Sequence, residues 1–371
     1  MAFAAFRKFK NQLFADITSV PEELKASYYP FMDGLRGVAI LTVILAHVTR
    51  DQPWSGYLDG TIGVHIFFIL SGFLITTLLI KEKLKYGTVS LKKFYARRAL
   101  RIFPVAYLYI LVLIILNYAF KLQIVPLSFI GAALYLKNFP VPLDWYTGHF
   151  WTLSIEEQFY LFAPIILITS LNRYLKVIVF LCIAVPLLNY LAFNNISVFY
   201  TNRVLHVVIY IILAILDRGA LYILSGSLLA VLLFKNVLNL QKLSNSYYLS
   251  SILFCLALVI HYPFTGNLFV IPYFSAIAST VLITAVIGLN LVADNLLTKL
   301  LSNPILVKTG ILSYSIYIWQ QIFTLHQPWA GYFKYADSLW LNLPAMLLVS
   351  YLSYTFYENR FLRLKKHFSR S

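Results

Sequence analysis

The chain has 371 residues, 60% of them hydrophobic and 12% charged, with a formal net charge of +16. A soluble domain carries about 25% charged residues, so this composition excludes a single globular core in water. The basic excess does not indicate a nucleic-acid partner: it lies in loops between apolar runs, with no zinc-finger spacing and no basic stripe on a soluble domain.

Residues 1–30 read as an interfacial arm, because Phe3, Phe6, Leu13 and Phe14 alternate with Arg7, Lys8 and Lys10 and no signal-peptide core is present. Eleven apolar segments follow, at 35–49, 62–80, 102–120, 151–170, 177–193, 204–216, 219–234, 249–263, 267–289, 311–327 and 338–356. Several reach the ~17–25 residues that cross a bilayer as a helix. The fold class is therefore all-α, a polytopic membrane helical bundle, with residues 31–357 as the membrane domain and 358–371 as a basic tail.

Between Lys81 and Arg101 the chain carries Lys81, Lys83, Lys85, Lys92, Lys93, Arg97, Arg98 and Arg101 against Glu82 alone. The positive-inside rule makes this loop cytoplasmic, and with it the N-terminal arm and the tail bearing Arg360, Arg363, Lys365, Lys366 and Arg370. Two cytoplasmic ends require an even number of crossings. Segment 204–216, short and bounded by Arg203, Asp217 and Arg218, is the one expected to be re-entrant or interfacial. That leaves about ten transmembrane helices and puts Lys235 and Lys242 inside. Cys182 and Cys255 sit in apolar runs and read as buried thiols; no His/Cys cluster has metal-ligand spacing, and no metal is expected.

Ionisable residues within the spans are the candidate chemistry. Arg36 and His47 in DGLRGVAILTVILAH share one helix face, ~16 Å apart along the axis, with Arg36 at the inner end. His65 opens the second span near its outer end, and Glu156 and Glu157 lie about a turn and a half below the outer start of the fourth. His47, His65 and Glu156 are thus expected at a similar depth, where imidazole beside carboxylate suits general-base work. A satisfied polar pair between helices is the bland alternative. At FYARRALRIFPVAY, Arg98 and Arg101 share a helical face abutting the third span and could grip phosphate, of a cofactor or of anionic lipid.

With these residues in place the sequence resembles the acyltransferase family 3 membrane proteins, O-acetylases of surface polysaccharides. GVHIFFILSGFLIT, FYARRALRIFPVAY, HFWTLSIEEQFYLFAP, SYSIYIWQQ and YENRFLRL carry the resemblance in order, over about Phe31 to Phe361. It implies an acyl group, usually acetyl, taken from acetyl-CoA or another acyl-CoA in the cytoplasm and delivered to a sugar hydroxyl of a glycan or lipid-linked glycan acceptor. The setting implied is the bacterial cytoplasmic membrane, with membrane lipid the other partner. His47 matches the family's essential histidine, Arg36 its arginine partner, Arg98 and Arg101 its paired-arginine motif near the coenzyme, and Glu156 the first carboxylate of its Trp-to-Glu motif.

Two positions depart from the pattern. His65 stands where relatives often have aspartate, and Gln320 where many carry histidine, an amide that cannot accept a proton at neutral pH. Tyr314 and Trp319 are accordingly expected to pack. The chain ends soon after its last apolar segment, so the whole reaction is expected within the membrane domain. His47 would act as base, with Glu156 or His65 orienting it. Ser71 is a conceivable acyl carrier, though Ser-Gly in a membrane helix more often marks close packing. The rival reading is a proton-coupled transporter or flippase using the same His and Glu residues; a non-catalytic scaffold is a third.

Overall fold

The computed structural model describes residues 2–50, 52, 60–193, 202–215, 218–238, 240–243, 246–261 and 274–368. Among these it is all-helical, with no strand. In chain order the helices are α1 (Ala2–Phe14), α2 (Pro30–Val48), α3 (Thr61–Tyr86), α4 (Leu91–Phe120), α5 (Pro126–Ala133), α6 (Trp145–Gly148), α7 (Phe150–Thr169) and α8 (Leu171–Phe193). They continue as α9 (Arg203–Ile215), α10 (Arg218–Phe234), α11 (Leu249–His261), α12 (Phe274–Val292), α13 (Leu296–Leu301), α14 (Pro304–Thr324), α15 (Leu339–Leu352) and α16 (Asn359–Leu364).

Local chemistry sets several boundaries. Pro30 and Pro304 start α2 and α14, where a missing N–H costs nothing. Asn303 caps α14 through the Ile305 N–H, and Gly87, at φ 74°, ends α3 in the left-handed region. A π-helical turn, Ser353–Glu358, follows α15 and buries Glu358 against the Ser315 and Ser353 hydroxyls, at 2.7 and 3.0 Å.

Six helices among the described residues are long and apolar enough to cross a membrane, at Pro30–Val48, Thr61–Tyr86, Leu91–Phe120, Leu171–Leu188, Ser275–Val292 and Leu339–Phe368. A seventh arises if α9 and Gly219–Phe234, bent by 52°, count as one span. That is fewer than the ten expected. The shortfall has a physical cause in α7 and α14: both are long enough, but Glu156, Glu157 and Gln158 dilute the first and Lys308, Gln320 and Gln321 the second. Segment 204–216 forms α9, with residue 216 outside the described set, as are the end of 249–263 and the start of 267–289. Both cysteines are free, but Cys255 is exposed rather than buried.

Helix α3 is central, with 78% of its span buried against 22% for α8 at the rim. It packs on α2, α7, α10 and α12, while α14 lies along α2. One end of the bundle gathers the basic segments. Lys83 Nζ donates to the Leu167 and Ile168 carbonyls at the end of α7, both at 3.0 Å. Arg97 binds Glu82 at 3.0 Å and the Phe368 carbonyl at 2.8 Å, tying the C-terminal segment to the start of α4. Lys235, at the end of α10, donates to the Ala15 carbonyl and to Asn172.

Candidate functional site

Near the basic end lies a cavity of about 300 Å³, bounded by α2, α3, α4, α7 and α14 with contributions from residues 26–29 and Lys365. Its charged lining is Arg36, Lys81, Arg98, Arg101 and Lys365 against a single acid, Glu156. The lining is otherwise largely aromatic and aliphatic, including Phe67, Phe68, Tyr314 and Tyr317. Five cations around one carboxylate in a mostly apolar chamber make an anion site, because the unbalanced positive charge is poorly screened there.

The arginines divide by what they already bind. Arg97 is spent on Glu82 and the Phe368 carbonyl. Arg98 lies over the Phe94 and Tyr160 rings, 5.8 Å from each, and its buried Nε has no hydrogen-bond partner. Arg36 reaches Asp33 at 3.6 Å, longer than a hydrogen bond. Arg98 lines the cavity and makes no hydrogen bond or ion pair among the described residues, so its guanidinium fits a ligand that brings acceptor oxygens, and phosphate is the usual match.

Glu156 accepts the Ser71 hydroxyl at 2.7 Å and that of Tyr160 at 3.3 Å, and it interacts electrostatically with Arg36 and Arg101. Ser71 therefore faces the cavity, while the neighbouring Gly72 makes the close helix contact: a Cβ there would stand 1.8 Å from the Ile223 carbonyl oxygen.

His47 belongs to a different neighbourhood. Its Nδ1 lies 2.8 Å from Gln320 Oε1, and its half-buried ring meets Trp145 edge-on with centroids 5.1 Å apart. Arg50 covers Trp145 at 5.6 Å. His65 is buried elsewhere, stacked on Tyr222 at 3.5 Å and edge-on to His261 at 5.0 Å. Neither histidine lines the cavity.

The expected common level of His47, His65 and Glu156 is thus replaced by three separate settings, with Glu156 beside Arg36. The reason lies at the start of α7. Asp144 caps α6 through the Thr147 N–H at 2.8 Å, Trp145 Nε1 donates to the Gln321 carbonyl at 2.8 Å, and the chain enters α7 already inside the bundle, with His149 and Phe150 buried. Seven residues further, about 10 Å along the axis, Glu156 is drawn down to Arg36. Contacts bridge the two levels: Tyr317, which lines the cavity, bonds Thr152 at 2.8 Å and the His149 carbonyl at 3.2 Å, and His149 interacts electrostatically with His47.

Sequence reasoning undervalued Gln320, passed over Gln321, and read Lys81 and Lys365 as orientation signals alone. A pair of amides inside an apolar helix was the available signal for the first two, since buried polar groups there demand partners. Trp319 is buried and packs edge-on against Tyr109, whereas Tyr314, expected to pack, also lines the cavity, its hydroxyl donating to the Ile102 carbonyl at 2.8 Å.

A family model described as an acyltransferase domain matches residues 29–358. The chain is 27% identical over 388 aligned positions to a protein of Staphylococcus aureus strain COL that bears the name "Putative O-acetyltransferase", covering 91% of this chain and 58% of that one. It is also 32% identical over 165 positions to the O-acetyltransferase OatA of S. aureus strain NCTC 8325, covering 40% of this chain and 26% of that one. The chain therefore spans little more than half the length of the first of these relatives. No solved structure matches it.

Proposed function

Because the chain belongs to the acyltransferase family 3 membrane proteins, we propose that it moves an acyl group, acetyl by likeness to the O-acetyltransferases, from acyl-coenzyme A to a sugar hydroxyl of a cell-surface or lipid-linked glycan. The observation that carries this reading is the cavity itself, with five cations against one carboxylate and an Arg98 guanidinium that pairs with no acid among the described residues, which suits a polyphosphate donor. Under this reading the basic end faces the cytoplasm, about ten segments cross a bacterial inner membrane, and the acceptor comes from the other side.

Arg98, Arg101, Lys81 and Lys365 would hold the phosphates, with Arg36 facing the same cavity from α2. Bound acyl-coenzyme A supplies an activated thioester carbonyl. Glu156, braced by Ser71 and Tyr160, balances part of the charge of Arg36 and Arg101. His47 takes the proton of the acceptor hydroxyl as its oxygen bonds to the acyl carbon, and returns that proton to the departing sulfur.

The test is transfer of radiolabelled acetyl from acetyl-coenzyme A to a glycan acceptor by protein purified into lipid nanodiscs. His47→Ala is expected to abolish transfer while leaving coenzyme binding intact. Arg98→Ala with Arg101→Ala is expected to weaken coenzyme binding at least about 10-fold, the scale of losing one charge-assisted hydrogen bond. Full transfer by His47→Ala defeats the base assignment; unchanged coenzyme affinity in the arginine pair defeats the donor site. Proton-driven solute movement with no acyl turnover would make the chain a transporter instead.

A further inference from the structure

We propose that Gln320 and Gln321 form a polarised amide relay, anchored on the Trp145 backbone carbonyl, that holds His47 in the tautomer with its proton on Nδ1 and its lone pair on Nε2. The proposal rests on the reading of His47 as the base.

The direction of the relay follows from its far end. A backbone carbonyl can only accept, so the Gln321 atom 2.6 Å from the Trp145 oxygen must be the amide nitrogen, Nε2. This aims Gln321 Oε1 at its neighbour. That oxygen also only accepts, so the Gln320 atom 2.7 Å away is again the nitrogen. Gln320 in turn presents Oε1 to His47 Nδ1 at 2.8 Å, and Nδ1 must donate. In a neutral imidazole the other nitrogen then carries the lone pair. Each step excludes its reverse, because a flipped amide would set two acceptors or two donors face to face.

The surroundings lock this arrangement. Gln320 is 0% exposed and Gln321 4%, so water cannot replace a lost partner cheaply. The Thr324 hydroxyl bonds the Gln320 carbonyl at 3.0 Å and its Oε1 at 3.2 Å. Trp145 Nε1 donates to the Gln321 backbone oxygen, so Trp145 and Gln321 bond each other twice, and the same indole packs edge-on against the His47 ring. Gln320 and Gln321 are positioning residues: they present His47 ready to accept a proton.

The relay can be read without turnover. In full-length protein carrying ¹⁵N-labelled histidine in a lipid bilayer, solid-state NMR distinguishes protonated from bare ring nitrogens, and subtraction of the His47→Ala spectrum isolates His47. The expected result is one neutral form, with Nδ1 protonated. Gln320→Leu should bring up the Nε2-protonated form, Gln321→Leu should give a mixture, and Gln320→Glu, whose protonated acid keeps an acceptor toward Nδ1 and a donor toward Gln321 Oε1, should retain Nδ1–H. In the transfer assay Gln320→Leu should lower kcat by at least about 10-fold, within the range of a general base, and change KM for acetyl-coenzyme A less than about 3-fold; Gln320→Glu should recover most of the rate. Nε2-protonated His47 in the unaltered protein, or a tautomer indifferent to Gln320→Leu, overturns the relay. Full transfer by His47→Ala would sink the base reading alone and leave the NMR result to decide the relay.

Discussion

Gly310→Ala tests how closely the helix carrying Arg36 and His47 must lie to the helix carrying Gln320. A Cβ built on Gly310 would stand 1.7 Å from the Asp33 carbonyl oxygen and 2.5 Å from its carbon. The contact is reciprocated along the seam: a Cβ at Gly34 would meet the Leu301 oxygen at 1.7 Å, and one at Gly37 the Leu306 oxygen at 2.3 Å. Carbon and oxygen need roughly 3.2 Å, so α2 and α14 would have to part by about 1.5 Å. The obstruction is backbone and cannot rotate away, so the cost should reach or exceed the ~1–3 kcal/mol typical of overpacking. A rigid shift of that size would also stretch the 2.8 Å His47–Gln320 contact past 3.5 Å. Thermal unfolding of the purified protein in detergent, with size-exclusion chromatography as a check on folding, is the assay. Gly148→Ala is the stability control, since nothing lies within 4 Å of its Cβ position. Gly310→Ala should melt clearly below both wild type and control; equal melting of all three would refute the close-approach argument.

Ser71 and Gly72 should differ in tolerance although adjacent. Ser71→Ala loses one hydrogen bond to the Glu156 carboxylate, worth about 1.5–3 kcal/mol, and leaves the backbones where they are, whereas Gly72→Ala sets a Cβ 1.8 Å from a backbone oxygen, must force α3 from α10 and should lower the melting temperature more; the reverse order would contradict the packing described. Glu156→Gln removes the one acid among the five cations of the cavity and should tighten coenzyme binding, by roughly 3- to 10-fold at low salt and less at high salt; weakened binding in an equilibrium titration would mean that Glu156 contacts the donor favourably. Arg97→Ala frees the C-terminal segment from α4. Limited proteolysis should cut the tail faster, while coenzyme affinity falls less than in Arg98→Ala; equal loss in both would place Arg97 in the site.

What the sequence made legible was what hydropathy and local spacing can encode. The central spans, the helix face shared by Arg98 and Arg101, and the membrane setting of His47 all follow from residues within about thirty positions of one another. The level of Glu156 did not. It depends on where α7 enters the bundle, and that is set by the cap on Asp144 and by Trp145 reaching a carbonyl 176 positions away. Gln320 was visible as an intramembrane amide, but its meaning comes from a partner 273 positions distant. His65 was judged by its level, whereas its setting is decided by Tyr222 and His261 on helices the first two spans cannot foretell. Periodicity places a residue on a face; it does not say which face of which other helix it meets.

The two helices that are long enough to span a membrane but diluted by polar residues are the ones that carry Glu156 and Gln320, and the polar residues explain both facts. A polar group facing lipid costs several kcal/mol, so helices rich in such groups can sit in a bilayer only when other helices shield them. Here α2, α3 and α4 supply that shield, together with the cations that balance Glu156. Shielding does not satisfy every polar atom: Glu157 Oε1 and Trp319 Nε1 are buried without hydrogen-bond partners among the described residues. Such atoms reduce stability, and a fold retains them where the same helix is needed for something else. On α7 the orphan is the chain neighbour of Glu156, which lines the cationic cavity; on α14 it is the chain neighbour of Gln320, which bonds His47. Both unpartnered atoms thus sit next in the chain to a residue the proposed acyl transfer would use, Glu156 among the cations of the donor cavity and Gln320 beside the proton-accepting His47.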